Sequence, residues 1–464
     1  MSSPLVIAAN RLPIREVMTA GERTWQRSPG GLVTTLEPVV KAQHARWVGW
    51  SGGEGGDVEP EPFEHDGMLL HPLPLQETEF TDYYQGFANS TIWPLYHDAV
   101  IPAVFDDQWW AAYRTVNQRF AVAAAAAVAP GGVVWVQDYH LQLMPAMVRS
   151  LRPDAGIGFF MHIPVPPLEV FRRLPQREEV LRGLLGADLI GFQRPDCAEN
   201  FRQLAQRVLH LPVRGEAISA GGRWVRTGGF PASVDAAGIE AFARRAGVSA
   251  YATQIRAELG NPRTVILAVD RLDYTKGIEE RLAALGELFD EGVLRAPEVC
   301  VVQIIAPSRE GIDTYQDLRA RIEAEVSRIN QAHPGGVRYV DRAVDRARVV
   351  AYYLAADVLA VTPLRDGMNL VAKEYVAARY DCRGALVLSE FAGAAAELRT
   401  AYRVNPYDRP ALKSALRDAV QAPPEEAAAR MRTMRDVLRQ HDVWDWATTF
   451  FAALEEARAL PAQL

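Results

Sequence analysis

The chain has 464 residues, 49% hydrophobic and 23% charged, with 50 Lys plus Arg against 57 Asp plus Glu for a net charge of −7. That length exceeds the ~250–300 residues at which one core stops growing, so two domains are expected. Ordinary composition excludes disorder as the main state, and the acidic balance argues against nucleic acid or a membrane surface as partner. In chain order, short and nearly uniform apolar runs predict strands at residues 5–9, 133–137, 157–161 and 188–192, then at 264–269, 299–305, 357–361 and 385–388. Uniform rather than alternating runs are the mark of parallel strands covered on both faces. Amphipathic stretches at 177–186, 195–209, 278–289 and 313–330 predict helices between them. Such alternation indicates α/β domains with parallel sheets. The Gly228-Gly229 pair and Pro231, inside 224–235, punctuate the middle of the chain, and a helical pattern starts at Ala236. The expected domains are therefore 1–235 and 236–442, with a last helical segment from 443 onward that opens with Trp444 and Trp446.

The longest apolar run, 120–129, is alanine-rich and too short to span a bilayer. The first residues lack a basic region and a long apolar stretch, so no signal peptide is expected. Three cysteines, Cys197, Cys300 and Cys382, lie far apart without a CxxC, which points to a reducing cytoplasm. GxGxxG, GxxxxGK[ST], HExxH and GxSxG are all missing. Nicotinamide oxidoreductase, P-loop kinase, zincin and α/β-hydrolase readings lose their usual support with them.

Three loops could carry chemistry. Asn10-Arg11-Leu12-Pro13 follows the first strand, and Ser28-Pro29-Gly30-Gly31-Leu32 then opens a helix. Glycines there either let backbone N–H groups approach a phosphate or form an ordinary turn. Arg271-Leu272-Asp273-Tyr274-Thr275-Lys276-Gly277 sits at the carboxyl end of a strand, where open α/β sheets bind ligands. Arg271 and Lys276 could converge on one diphosphate, the first as a planar fork and the second as a point charge. Lysine occurs only at Lys41, Lys276, Lys373 and Lys413, which makes its use in this loop notable. The third loop runs Arg365-Asp366-Gly367-Met368-Asn369-Leu370-Val371-Ala372-Lys373-Glu374 into a helix. Its N–H groups suit a diphosphate, Asp366 suits sugar hydroxyls and Glu374 a ribose diol. Asp138, His162 and Arg309 also fall at strand ends, and Tyr84 and Trp93 are aromatics on which a sugar could stack.

The blocks ANRLP, SPGGL, TDYYQGFANSTIWPL, WVQDYHLQLMP, GFFMHIPVPP, RLDYTKGI, APSRE and TPLRDGMNLVAKEY, followed by VLSEFAGAA and VNPYD, resemble the trehalose-6-phosphate synthase family. These are retaining nucleotide-sugar glycosyltransferases of family 20. The resemblance runs in order from about residue 5 to residue 408. It implies a GT-B fold: two Rossmann-like, doubly wound parallel-sheet domains facing across a cleft, the first for the acceptor and the second for the donor. It also implies that the C-terminal helix crosses back to the first domain. Glucose would pass from UDP- or GDP-glucose to glucose 6-phosphate, with no metal or other cofactor.

Carried over residue by residue, Arg11 and Arg309 grip the acceptor's phosphate, while Tyr84, Trp93 and Asp138 touch its sugar. Gly30 and Gly31 approach the donor phosphate and His162 the donor glucose. Arg271 and Lys276 clamp the diphosphate, Asp366 takes glucose hydroxyls, Asn369, Leu370 and Val371 form the phosphate-binding helix start, and Glu374 meets the ribose. Asp138, His162, Arg271 and Lys276 are the expected catalytic set. Val344 stands where well-known bacterial members carry an aromatic near the base, which leaves the donor nucleotide open. Without an evident carboxylate nucleophile, the resemblance implies substitution on one face, the leaving phosphate taking the acceptor's proton. Rival readings are a transferase that couples a nucleotide-activated cyclitol to a sugar or amino-cyclitol phosphate, and a non-catalytic sugar-phosphate sensor. Oligomeric state, including a homo-oligomer, is left open.

Overall fold

The computed structural model describes residues 3–19, 22–28, 31–54, 61–99, 101–309 and 311–460. The chain divides into two compact units, one holding the chain up to Ala232 and again from Trp444, the other Ser233–Val443. Punctuation in the sequence had put the first passage at residue 235. Gly228 and Gly229, however, lie within the strand Arg223–Gly229, not in a linker. A Cβ on Gly229 would stand 2.7 Å from Pro195 N, so this glycine lets the strand end pack against the start of the Pro195–Val208 helix.

The first unit is built on a ten-stranded sheet. In spatial order its strands are Val213–Arg214, Ala217–Ala220, Arg223–Gly229, Leu189–Phe192, Gly156–Met161, Val128–Gln137, Ser3–Arg11, Arg46–Glu54, Met68–Leu75 and Phe63–His65. Pairing is parallel from Arg223–Gly229 to Met68–Leu75, with antiparallel strands only at the two edges. From Ser3–Arg11 the chain builds outward on one side, then returns to build Val128–Gln137 and its successors on the other. The switch point therefore falls between those two strands, and Arg11 and Asp138 lie at their carboxyl ends. The segment after Arg11, expected as a loop, contains an antiparallel hairpin, Ile14–Thr19 with Glu22–Arg27, before the Gly31–Ala42 helix.

The second unit has six strands, all parallel, in the order Val337–Asp341, Val299–Ala306, Thr264–Arg271, Val358–Val361, Ala385–Ser389 and Tyr402–Val404. Val265 and Leu267 face one apolar layer and Ile266 the other, which is why these strands read as unbroken apolar runs. Its switch point lies between Thr264–Arg271 and Val358–Val361. The loops that follow these strands carry Lys276 and Asp366.

The last helix, Val443–Arg458, packs on the first unit's sheet through Trp446 and Phe450, 2% and 0% exposed. Their rings stand 5.1 and 4.9 Å from Trp135. Gly158 and Gly191 leave the slot for Phe450, since a Cβ on either would come within 2.8 Å of that ring.

Candidate active site

In the first unit Arg11 ends its strand beside Trp50 of the neighbouring strand. Its guanidinium lies over the Trp50 ring at 4.5 Å and over Tyr84 at 5.1 Å, a cation held by two aromatic faces. Gly49 permits this approach, because a Cβ there would meet Arg11 C and Leu12 N at 2.8 Å. Tyr84 belongs to Phe80–Ile92, a wide helix of π type, in which the Asn89 and Ser90 side chains also reach back five residues to carbonyls. Widened helical turns of this kind are frequent at functional sites.

Contacts run on from Tyr84 to the other expected residues. Tyr84 stacks on His140 at 5.9 Å, His140 meets Tyr139 at 3.9 Å, and Tyr139 meets Trp93 at 5.5 Å. Tyr139 and His140 directly follow Asp138, so Arg11, Tyr84, Trp93 and Asp138 form one connected patch. Asp138 has φ 72°, a conformation that costs a non-glycine residue about 1–3 kcal/mol. Its carboxylate accepts the His162 backbone N–H at 3.1 Å, and its own N–H donates to Phe160 O at 2.7 Å. His162 is 3% exposed, and its Nε2–H donates to Gln137 Oε1 at 2.8 Å.

Burial pushes the His162 imidazole down to about 3, so it is neutral at working pH. The value lies below the ordinary 6.5, so on acidification the unfolded chain takes up a proton that the native state refuses. Stability is thus undiminished above 6.5 and falls from there towards about 3. The slope from this one group reaches about 1.4 kcal/mol per pH unit. Urea midpoints over a pH series should show this decline, and His162→Asn should flatten it. A slope unaffected by His162→Asn would mean that the imidazole is not held neutral.

In the second unit, three loops converge. Asp273 caps the Tyr274–Lys276 turn by accepting Thr275 N–H at 2.9 Å. Gly277 follows with φ 61°, and a Cβ there would lie 2.2 Å from Thr362 O, a contact that only glycine allows. Leu364 N–H donates to Thr275 O at 2.8 Å, closing one loop against the next. Lys276 Nζ and Asp366 Oδ2 pair at 2.5 Å, with only 11% and 13% of the side chains exposed. Asp366 also accepts from Met368 N and Asn369 Nδ2, both at 3.2 Å. Asn369, at φ 60°, caps the Leu370–Ala378 helix by accepting Ala372 N–H. Leu370 and Val371 are therefore its first two residues, where N–H groups and the helix dipole favour an anion.

Lys373 and Glu374 diverge. Lys373 is fully buried on Glu397, while Glu374 accepts from Tyr353 OH at 2.9 Å. Val344 is half-buried and packs on the same core layer as Met368 and Val371. Arg271 is exposed at its strand end. Beneath these loops the fully buried Arg281 pairs with Asp270 and donates to Gln303 Oε1 at 3.0 Å and Thr362 Oγ1 at 2.9 Å, tying three strand ends together.

Arg309, expected to reach for a phosphate, has a side chain 2% exposed, paired with Asp273 at 2.8 Å. Its backbone has φ 52°, and its guanidinium is turned towards Asp273. Gly31 begins its helix as expected, and Gly30 lies outside the described residues. Trp50 and Asp273 were missed by the sequence reading. Trp50 has no signal beyond its aromatic type, whereas Asp273 is an Asx cap visible in Asp-Tyr-Thr. Among the described residues no group of three or more His, Cys, Asp or Glu is placed to hold a metal, and no helix is long and apolar enough to cross a membrane.

Two parallel-sheet units, each with its polar groups at the switch point and with a cation, a carboxylate and a helix start gathered in the second, define the GT-B class of glycosyltransferase. The profile of glycosyltransferase family 20 matches residues 3–456, and the chain belongs to that family. It is 49% identical over 473 residues to the trehalose-6-phosphate synthase of Mycobacterium avium (strain 104), covering 98% of this chain and 96% of that one. The E. coli structure bound with UDP-2-fluoro glucose matches with a TM-score of 0.89 at 32% identity, covering 98% of this chain and 99% of that one. A UDP-forming α,α-trehalose-phosphate synthase from Burkholderia xenovorans in complex with glucose-6-phosphate matches with a TM-score of 0.89 at 32% identity, over 97% and 100%.

Proposed function

We propose that the chain is a retaining glucosyltransferase that moves glucose from a nucleoside diphosphate glucose to glucose 6-phosphate, releasing the nucleoside diphosphate and α,α-trehalose 6-phosphate. The observation that carries this reading is the Lys276–Asp366 pair at the start of the Leu370–Ala378 helix, in the loops of a parallel-sheet switch point. The comparisons favour it over the cyclitol-coupling alternative.

When the bond from the anomeric carbon to the diphosphate oxygen breaks, negative charge collects on the phosphate. Arg271, Lys276 and the N–H groups at Leu370 and Val371 are the groups that stabilise it, more in the transition state than before. The new glycosidic bond forms on the same face, and the acceptor hydroxyl's proton passes to the leaving phosphate. Asp366 accepts glucose hydroxyls, Glu374 the ribose diol, and Val344 borders the base. In the first unit, Arg11 between two rings receives the acceptor's phosphate, Tyr84 and Trp93 its sugar, and Asp138 and neutral His162 the hydroxyls near the reacting carbon. Three free thiols, Cys197, Cys300 and Cys382, fit a reducing compartment, and we place the reaction in the cytoplasm.

The test is release of nucleoside diphosphate from UDP-, GDP- or ADP-glucose that depends on added glucose 6-phosphate. Release without acceptor, or none with any donor, would refute the reading. Because cationic side chains meet the diphosphate charge, turnover should survive EDTA. Abolition by EDTA with rescue by Mg²⁺ would remove that assignment. Arg11→Ala should raise the glucose 6-phosphate KM about 10- to 100-fold, the loss of one charge-assisted contact, with donor affinity little changed. Arg11→Lys should recover only part of it, since a point charge cannot replace a planar fork.

A further inference from the structure

Asp273 lies within the machinery yet has no substrate role assigned above. Its carboxylate is completely buried and works in two directions. Oδ1 accepts from Thr275 N–H at 2.9 Å and Thr275 Oγ1 at 2.8 Å, holding the turn that presents Lys276. Oδ2 accepts from Arg309 Nη1 at 2.8 Å, and the same Nη1 reaches Tyr315 OH, whose ring lies under the guanidinium at 5.5 Å. Tyr315 OH is itself 3.5 Å from Asp273 Oδ2. The two loops joined here follow adjacent parallel strands, paired up to Arg271 and Ala306. Burial pushes the Asp273 carboxyl up, but Arg309, Lys276, Arg271 and the Thr275 N–H outweigh it and hold it at about 2. One buried anion therefore faces three cations: the proposed function gives Arg271 and Lys276 to the diphosphate, and the family resemblance gives Arg309 to the acceptor's phosphate.

We propose that Asp273 is a positioning residue that aims Arg309 for the acceptor's phosphate and keeps it apart from the diphosphate pair Arg271 and Lys276. The inference rests on the proposed function and on the acceptor-phosphate role that the resemblance implies for Arg309. A charge-assisted bond to a fully buried carboxylate fixes one edge of the guanidinium, and Tyr315 fixes its plane. With Asp273 neutral, Arg309 loses its anchor, while the Thr275 cap survives because Asn caps as well as Asp.

The experiment compares Asp273→Asn, Arg309→Ala and the double variant in glucose 6-phosphate KM, kcat and UDP affinity by calorimetry. We expect Asp273→Asn to raise the glucose 6-phosphate KM about 10- to 100-fold, with UDP affinity held within about threefold. Arg309→Ala should do the same, and the double variant should be no worse than either single one. An Arg309→Ala KM that stays normal would overturn the role of Arg309 itself. A raised KM in Arg309→Ala with a normal one in Asp273→Asn would overturn only the positioning by Asp273. Equal losses of UDP and glucose 6-phosphate affinity would overturn it too, marking a general scaffold. If Asp273→Asn does not fold, Tyr315→Phe is the reporter: it should raise the glucose 6-phosphate KM several-fold, and an unchanged KM would count against the proposal.

Discussion

Lys276→Ala is expected to lower kcat about 10²- to 10³-fold, the usual effect of deleting one preorganised group that meets developing charge. Lys276 is 11% exposed and is held by two independent restraints. The turn capped by Asp273 sets its backbone, and Gly277 seats the loop against Thr362 O. The charge is thus in place before reaction, so its loss should appear in kcat more than in donor binding. Asp366 loses a cation but keeps Met368 N–H and Asn369 Nδ2, so the protein should still fold. Lys276→Arg should not restore the rate, because a wider fork has no room beside a largely buried carboxylate. Steady-state kinetics at saturating donor, with a melting curve as the folding control, would decide it. A folded Lys276→Ala enzyme with near-normal kcat would contradict the charge account.

The largest stability loss is expected from Phe450→Ala, about 3–5 kcal/mol, the range for removing a fully buried aromatic side chain. Its ring fills a slot that Gly158 and Gly191 leave in two adjacent strands, so nothing on the sheet side can collapse into the gap. The effect should extend to activity. Phe160 and Trp446, both packed in this layer, stand 4.5 and 6.3 Å from the His162 ring, so the helix backs that imidazole. Chemical denaturation should show the loss, and hydrogen exchange should show the Val443–Arg458 amides opening first. A midpoint within the range of surface variants would mean that the C-terminal helix contributes little to the first unit.

The central strands that are apolar on both faces were legible, since a run such as 299–305 stands out without alternation. Arg46–Glu54, Met68–Leu75, Arg223–Gly229, Val337–Asp341 and Tyr402–Val404, broken by charges, glycines or prolines or too short to stand out, were not. The loops at the second switch point were legible for a related reason: Asp270 to Gly277 and Arg365 to Glu374 end apolar runs with clustered charges, although Asp270 and Arg271 still belong to the strand. Other parts depend on pairing that the residues do not announce. The exposed hairpin Ile14–Thr19 and Glu22–Arg27 has mixed polarity and merged with the loop after Arg11. Trp50 meets Arg11 only because two distant segments pair in parallel. Gly228-Gly229 looked like punctuation because close packing and flexibility demand the same residue. Arg309 was legible only as a strand-end cation, and its pairing with the capping Asp273 of the neighbouring loop depends on two strands lying side by side.

The central claim is glucosyl transfer with retention onto glucose 6-phosphate. It is tested most directly by NMR of the product formed from anomerically ¹³C-labelled nucleotide glucose and unlabelled glucose 6-phosphate. The account predicts a disaccharide phosphate with the label in one ring and both anomeric centres in the α configuration. A β linkage at the labelled carbon, or label found only in free glucose, would contradict it.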